Sequence, residues 1–410
     1  MTPTSSPDAQ FAEAARLREI SFLNLAHGLD HFVLLIYPTV VIGLELIYNR
    51  PYSELIALSS TTFVAFGVFA LPSGWLADRW SRRNMMAAFY FGCGVSLIAI
   101  ALAPNLLVLS IAMFMLGVFA AIYHPVGMAM LIEASGANGR TLAFNGVCGN
   151  LGVSLAAGIS GALAYWVHWR AAFFLPALVL LASGVVYIWL TPDDRHHANK
   201  RVSKAAVPLT AKVMAMLFGL FLFIAFSAGL VFNVLTIALP KIVDEGMTRD
   251  VSLVTIGSIA TLVLVCGAIA QLAVGRLVEK ISAPNLFIAV TAFGFAGNLW
   301  ATYATGISLM IALAIAVAAI YGQVTVNDII LARYTADAWR GRVYAVRYFT
   351  LFISAGIAIA MIALLHKSGG FSLVLGANSI VALTMFLATL GLVSLIFSIE
   401  SRHAASQPAE

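Results

Sequence analysis

Apolar residues dominate the chain in long runs, separated by short polar interruptions. Twelve runs come close to the ~20 residues that a helix needs to cross a bilayer core. They cover residues 21–44, 55–76, 84–103, 106–133, 140–164, 171–190, 213–240, 253–275, 285–304, 307–332, 341–365 and 372–398. Most connections are short, so successive spans run antiparallel. One stretch departs from this rhythm: residues 191–212 carry Pro192, Asp193, Asp194, Arg195, His196, His197, Lys200, Arg201, Lys204 and Pro208. The pattern predicts an all-α membrane protein of twelve transmembrane helices. Its parts are a tail (1–20), a six-helix bundle (21–190), a linker (191–212), a second six-helix bundle (213–398) and a second tail (399–410).

The two bundles repeat. Pro38 near the end of span 1 corresponds to Pro240 near the end of span 7, 202 residues on. Gly74-Trp-Leu-Ala-Asp78 corresponds to Gly275-Arg-Leu-Val-Glu279, and Asn84 to Asn285, each 201 residues on. Gly139-Arg140 returns as Gly341-Arg342 at 202. An even number of spans precedes each copy, so the repeats are parallel, with an axis along the membrane normal. Transporters built this way place their substrate site between the halves near the midplane.

Composition agrees and adds orientation. The chain is 61% hydrophobic and 10% charged, against about 25% charged in soluble domains. Lipid is therefore the expected solvent for most of it. Residues 1–20 are polar and mixed in charge, so the first apolar run is expected to be a retained span. Seventeen Lys and Arg fall on the side of the N-terminus and five on the other, with Arg347 inside a span. Positive charge favours the cytoplasm, so both termini and the linker are expected there, in the cell (inner) membrane. For a polytopic protein the net charge of +5 does not point to nucleic acid. Cys93, Cys148 and Cys266 lie singly in apolar runs and read as packing residues.

Between spans 2 and 3 the sequence runs Gly74-Trp75-Leu76-Ala77-Asp78-Arg79-Trp80-Ser81-Arg82-Arg83. This resembles the signature loop of the major facilitator superfamily, G-x-L-a-D-r-x-G-r-[K/R], with Ser81 in place of its glycine. The weaker copy at Gly275–Lys280 also fits that family. The resemblance implies two parallel-repeat bundles and a conformational latch made by Gly74, Asp78, Arg79, Arg82 and Arg83 with Arg342 at the start of span 11. Asp78 suits such a role because a helix N-terminus favours an anion. The alternative is that the arginines only fix topology. Asn24–Pro38 and Tyr123-His124-Pro125-Val126-Gly127 are similar to the fosmidomycin-resistance group of efflux proteins, which implies export. The Gly-Pro end of the drug-antiporter pattern in span 5 and the span 4 arginine of many proton antiporters are absent here.

Ionisable residues inside hydrocarbon cost several kcal/mol unless paired or wetted, so each marks a candidate site. Span 1 carries His27, Asp30 and His31, which share one side of a helix. Span 4 carries Tyr123 and His124, span 7 Asn233, span 10 Gln323, Asn327 and Asp328, and span 11 Arg347. The resemblance implies that spans 1, 4, 7 and 10 line the central cavity, where most of these residues fall. Asp30, His31 and His124 are the expected proton-coupling residues, since carboxyl and imidazole groups away from bulk water can load and release a proton. His27, Tyr123, Asn233, Gln323, Asn327, Asp328 and Arg347 are expected to contact substrate, Arg347 suiting a carboxylate, phosphate or phosphonate. The structural alternatives are a pair of Asp30 with His27 or an arginine, a hydrogen bond from His124 beside a Pro125 kink, an Arg347–Asp328 ion pair, and amides that bind spans together.

The expected function is alternating-access secondary transport, coupled to protons, of a small anionic organic solute, with export favoured. There is no GxxxxGK[ST] loop, and neither an enzymatic activity nor a cofactor is expected. The expected partners are substrate, protons and the bilayer, with a monomeric chain. Two other readings remain open. One is a divalent metal exporter using His27, Asp30, His31 and His124; the other is a membrane receptor that kept the fold without transport.

Overall fold

The structure is a computed structural model that describes residues 7–136, 138–191, 211–247, 251–334 and 337–405. Among them it is helical throughout. Span 1 is α1 (Pro7–Leu34) and α2 (Ile36–Tyr48); span 2 is α3 (Tyr52–Ala57) and α4 (Ser60–Arg79). Span 3 is α5 (Arg82–Leu102). Span 4 is α6 (Leu106–Ala120), a π-turn (Tyr123–Gly127) and α7 (Met128–Ser135). Then come α8 (Gly139–Trp166), α9 (Ala171–Leu190), α10 (Ala211–Gly246), α11 (Leu253–Leu277), α12 (Ala283–Tyr303), α13 (Gly306–Tyr334) and α14 (Asp337–Ala405).

Eleven helical stretches are long and apolar enough to cross a membrane, the last of them 53 residues long. At about 1.5 Å per residue that stretch is more than twice the thickness of a hydrocarbon core. It breaks at Gly369 and Gly370, and Gly370 sits at φ 64°, ψ −162°, a conformation essentially restricted to glycine. The break divides α14 into spans 11 and 12 and brings the number of spans to twelve.

Local chemistry explains the interruptions. Pro38 has no N–H to donate to the Leu34 carbonyl, and span 1 is broken at Leu35 (φ −106°, ψ 5°). Pro125 likewise cannot donate, and span 4 widens into a π-turn around it. The Ser81 hydroxyl caps α5 by accepting from Asn84 N–H at 3.2 Å. Asn105 Oδ1 does the same for α6 through Val108 N–H at 2.9 Å.

The chain divides into two compact units, Met1–Asn199 with Val251–Thr261, and Lys200–Asp250 with Leu262–Glu410. In the first, α1 packs on α8, α5 on α9 and α6; in the second, α10 packs on α14 and α12 on α13 and α14. Span 1 thus meets span 5 as span 7 meets span 11, where Asn233 Nδ2 contacts Ser354 Oγ at 3.4 Å. Spans 9 and 12 meet through Asn378 Nδ2 and Asn298 Oδ1 at 2.7 Å. The sequence repeat is therefore a repeat of helix pairings.

The α1–α8 seam positions everything described next. A Cβ on Gly152 would collide with the Gly28 carbonyl, and one on Gly149 would lie 2.6 Å from His27 Nε2. Gly146, on the same helix, has nothing within 4 Å of that position. Gly152→Val should therefore cost about 1–3 kcal/mol through overpacking, and Gly146→Ala should be neutral or slightly stabilising. Thermal unfolding of the two variants in detergent checks this; equal melting temperatures would mean that the seam is not tight.

Candidate functional site

In the first unit α1 and the π-turn of span 4 bring five sequence-predicted residues together: His27, Asp30, His31, Tyr123 and His124. The His27 ring stacks on Tyr123 at 4.8 Å between centroids, with planes 22° apart. Its other neighbours are His31 at 5.0 Å and His124 at 5.5 Å. His31 and His124 are 5.5 Å apart, and Phe66 of α4 lies edge-on to His124 at 6.0 Å. Asp30 is fully buried. Its Oδ2 lies 3.5 Å from His124 Nε2, and neither carboxylate oxygen has a hydrogen-bond donor among the described residues. A buried carboxylate without donors is costly.

Asn145 of α8 organises the cluster, and it is not among the residues expected from the sequence. His27 Nδ1–H donates to the Asn145 carbonyl at 2.8 Å. Asn145 Nδ2 donates to the Tyr123 hydroxyl at 2.9 Å and to Asn24 Oδ1 at 3.0 Å. One asparagine therefore ties spans 1, 4 and 5 together and fixes which His27 nitrogen carries the proton. Its signal in the sequence is an amide among the apolar residues of span 5. The structure places His27 against Asn145 and directs Asp30 toward His124, so an Asp30–His27 structural pair does not form.

In the second unit Arg347 pairs directly with Asp328, as the ion-pair alternative expected. Arg347 is buried, while the Asp328 side chain is 42% exposed. Asn327 and Arg347 line one small cleft with Phe218, Phe221, Leu222 and Leu331. Gln323 is buried, and its Nε2 has no acceptor among the described residues. Asn233 is placed differently. Its Nδ2 donates to Gly229 O at 2.8 Å and meets Ser354 Oγ, the behaviour of an amide that joins helices.

The loop motif makes local contacts. Gly74 lies against Pro125, where a Cβ would meet the proline Cβ at 3.3 Å. Arg82 bridges Asp78 at 3.2 Å and Glu133 of α7 at 2.9 Å. Arg83 Nε donates to Thr191 O at 3.0 Å, at the C-terminal end of α9 where orphan carbonyls need donors. The Arg79 guanidinium stacks over Trp75 at 4.2 Å. The side chain of Arg342 lies outside the described residues.

Three comparisons bear on what such a chain is. The model of the Major Facilitator Superfamily matches residues 20–251. An uncharacterized MFS-type transporter, YybF of Bacillus subtilis, is 24% identical over 312 residues, 71% of this chain and 74% of that protein. The lincomycin resistance protein of Streptomyces lincolnensis is 29% identical over 162 residues, 38% of this chain and 33% of that protein. The puromycin resistance protein pur8 of Streptomyces alboniger is 29% identical over 135 residues, 32% of this chain and 27% of that protein. The crystal structure of a bacterial homolog of the human lysosomal transporter Spinster, inward-facing and unoccupied, superimposes with a TM-score of 0.77 at 12% identity, covering 96% of this chain and 99% of that one. The span count, the loop at Gly74–Arg83 and a family match over more than half the chain lead to one conclusion: this is a multi-pass membrane transporter, and the chain belongs to the Major Facilitator Superfamily.

Proposed function

We propose that the chain is an alternating-access transporter that couples proton movement to the transport of a small organic anion, with export favoured. The observation that carries the reading is the Asp30 carboxylate, fully buried and facing His124 at 3.5 Å, with no hydrogen-bond donor among the described residues. A carboxyl group so placed is far easier to bury neutral than charged, so taking up a proton relieves it. His124 and His31 are the neighbouring groups through which that proton can pass. Arg347 carries a fixed charge beside an aromatic cleft, which suits the anionic end of an organic solute. Asp328 holds the guanidinium when no anion does.

The names of two relatives, resistance proteins for lincomycin and puromycin, support outward transport of organic molecules. The bias of Lys and Arg supports a cell (inner) membrane location with both termini and residues 191–212 on the cytoplasmic face. Asp78, Arg79, Arg82 and Arg83 act in this scheme as a conformational latch with Arg342, the Arg82 bridge to Asp78 and Glu133 being the part within reach of each other. Both bridges are exposed and individually weak, about 0–1 kcal/mol, which suits contacts that must break in every cycle. A metal-export reading of the same cluster rests on its three imidazoles; flux of transition-metal ions with no flux of any organic anion would favour it.

In proteoliposomes, a pH gradient should drive flux of the cargo found by a thermal-shift screen of organic anions. Asp30→Asn should abolish that coupling by at least about tenfold, as expected of a general acid–base residue, and Asp30→Glu should retain part of it. Coupling that survives in Asp30→Asn removes Asp30 from the proton path. Arg347→Ala should raise KM by about 10-fold or more, in line with the ~1.5–3 kcal/mol of a charged hydrogen bond. Arg347→Lys should fall between, because an ammonium keeps the charge and loses the planar fork. An unchanged KM in Arg347→Ala would leave the arginine as a partner of Asp328 only.

A further inference from the structure

We infer that His27, His31 and His124 form a binding site for a divalent transition-metal cation of the zinc class. The inference uses the same cluster as the proton-coupling reading but does not depend on which solute crosses the membrane; a bound cation and a proton passing through His31 and His124 exclude one another in time. One ligand atom from each of the three imidazoles lies within 4.8 Å of the other two. Three nitrogens on a tetrahedral ion with bonds of ~2.0–2.1 Å stand about 3.3 Å apart. The rings therefore need to close by up to about 1.5 Å, within the swing of a histidine side chain.

Two observations beyond proximity point to a ligand. The first is the outer contacts. A histidine that binds a metal through one nitrogen characteristically gives the other to a backbone carbonyl or a carboxylate. His27 does the former: its Nδ1–H donates to Asn145 O at 2.8 Å, which leaves the Nε2 lone pair available. His124 approaches the latter, with Nε2 facing Asp30 Oδ2 at 3.5 Å. The second is charge. Asp30 is fully buried with no donor to either oxygen among the described residues, and a cation behind His124 compensates it through the imidazole.

The donor set selects the ion. Imidazole nitrogens suit zinc, copper, nickel and cobalt, whereas magnesium and calcium require oxygen cages. His27 is buried, while His31 and His124 are not completely so; the fourth position falls to water or Asp30. Gly149 belongs to the same construction, since a side chain there would occupy the space of the His27 ring.

The test is cobalt absorption on untagged, detergent-purified protein in which His196 and His197 of the linker are replaced by alanine. One saturable visible d–d band per chain is expected, bleached by Zn²⁺ and unaffected by Mg²⁺. His31→Ala should weaken cobalt binding at least tenfold, and Asp30→Asn by about 10–100-fold, as for loss of an outer-shell carboxylate. His168→Ala and His366→Ala, which lie outside the cluster, should leave it unchanged. If His31→Ala does not yield monodisperse protein, His31→Gln serves in its place. No saturable band in folded protein, or a band that survives both His31→Ala and His31→Gln, overturns the site. If the band is absent while Asp30→Asn abolishes gradient-driven flux, the metal site fails and the transport reading stands. A normal band with unaltered coupling in Asp30→Asn keeps the metal site and removes Asp30 from proton coupling.

Discussion

A polar side chain on a helix in lipid has one direction in which it can be stabilised, and that is inward. Water is absent on the outside, and each unpaired polar group there costs several kcal/mol. This constraint gathers His27, Asp30, His31, Tyr123 and His124 from two spans into one cluster, and pairs Arg347 with Asp328 across two spans of the other unit. Asn145 then satisfies three of its neighbours at once with a single amide and its own carbonyl. Asp30 is held inside with no donor to either oxygen among the described residues, and a carboxylate in that position needs a proton or a cation to offset its charge.

The cluster forms because backbone geometry yields in two places. Gly28, Gly149 and Gly152 let α1 and α8 approach until backbone and ring atoms occupy the space where side chains would stand. Pro125 removes one N–H from span 4, and the π-turn that follows presents Tyr123 and His124 at the same level as His27. π-Turns inside helices are frequent at functional sites. Here the reason is visible in the contacts: both residues of the turn face the span 1 imidazoles.

The two units share pairings but not chemistry. Spans 1 and 5 pair as spans 7 and 11 do, and spans 3 and 6 as spans 9 and 12. The first unit nonetheless holds imidazoles and an acid, while the second holds a guanidinium, an acid and amides. Duplication of a bundle preserves the apolar and small residues that make helices fit. The few polar positions facing inward are free to diverge, and it is there that proton handling and anion binding can be divided between the halves.

Much was legible in the sequence because it depends on spacing. Apolar runs of about 20 residues fixed the spans, the offset of 201–202 residues exposed the repeat, and the Gly74–Arg83 loop pointed to the superfamily. The i, i+3 and i, i+4 spacing of His27, Asp30 and His31 was enough to put them on one helix side. Tertiary structure alone decided which partners they meet. It sent His27 to the Asn145 carbonyl and Asp30 toward His124, made Asn233 a joint between helices, and bound Arg347 to Asp328. It also joined spans 11 and 12 through a break at Gly369–Gly370. The physical reason is that periodicity fixes the face of a residue within its own helix. What lies opposite that face depends on the rotation and depth of a neighbouring helix, and these are set by close packing between residues far apart in the chain.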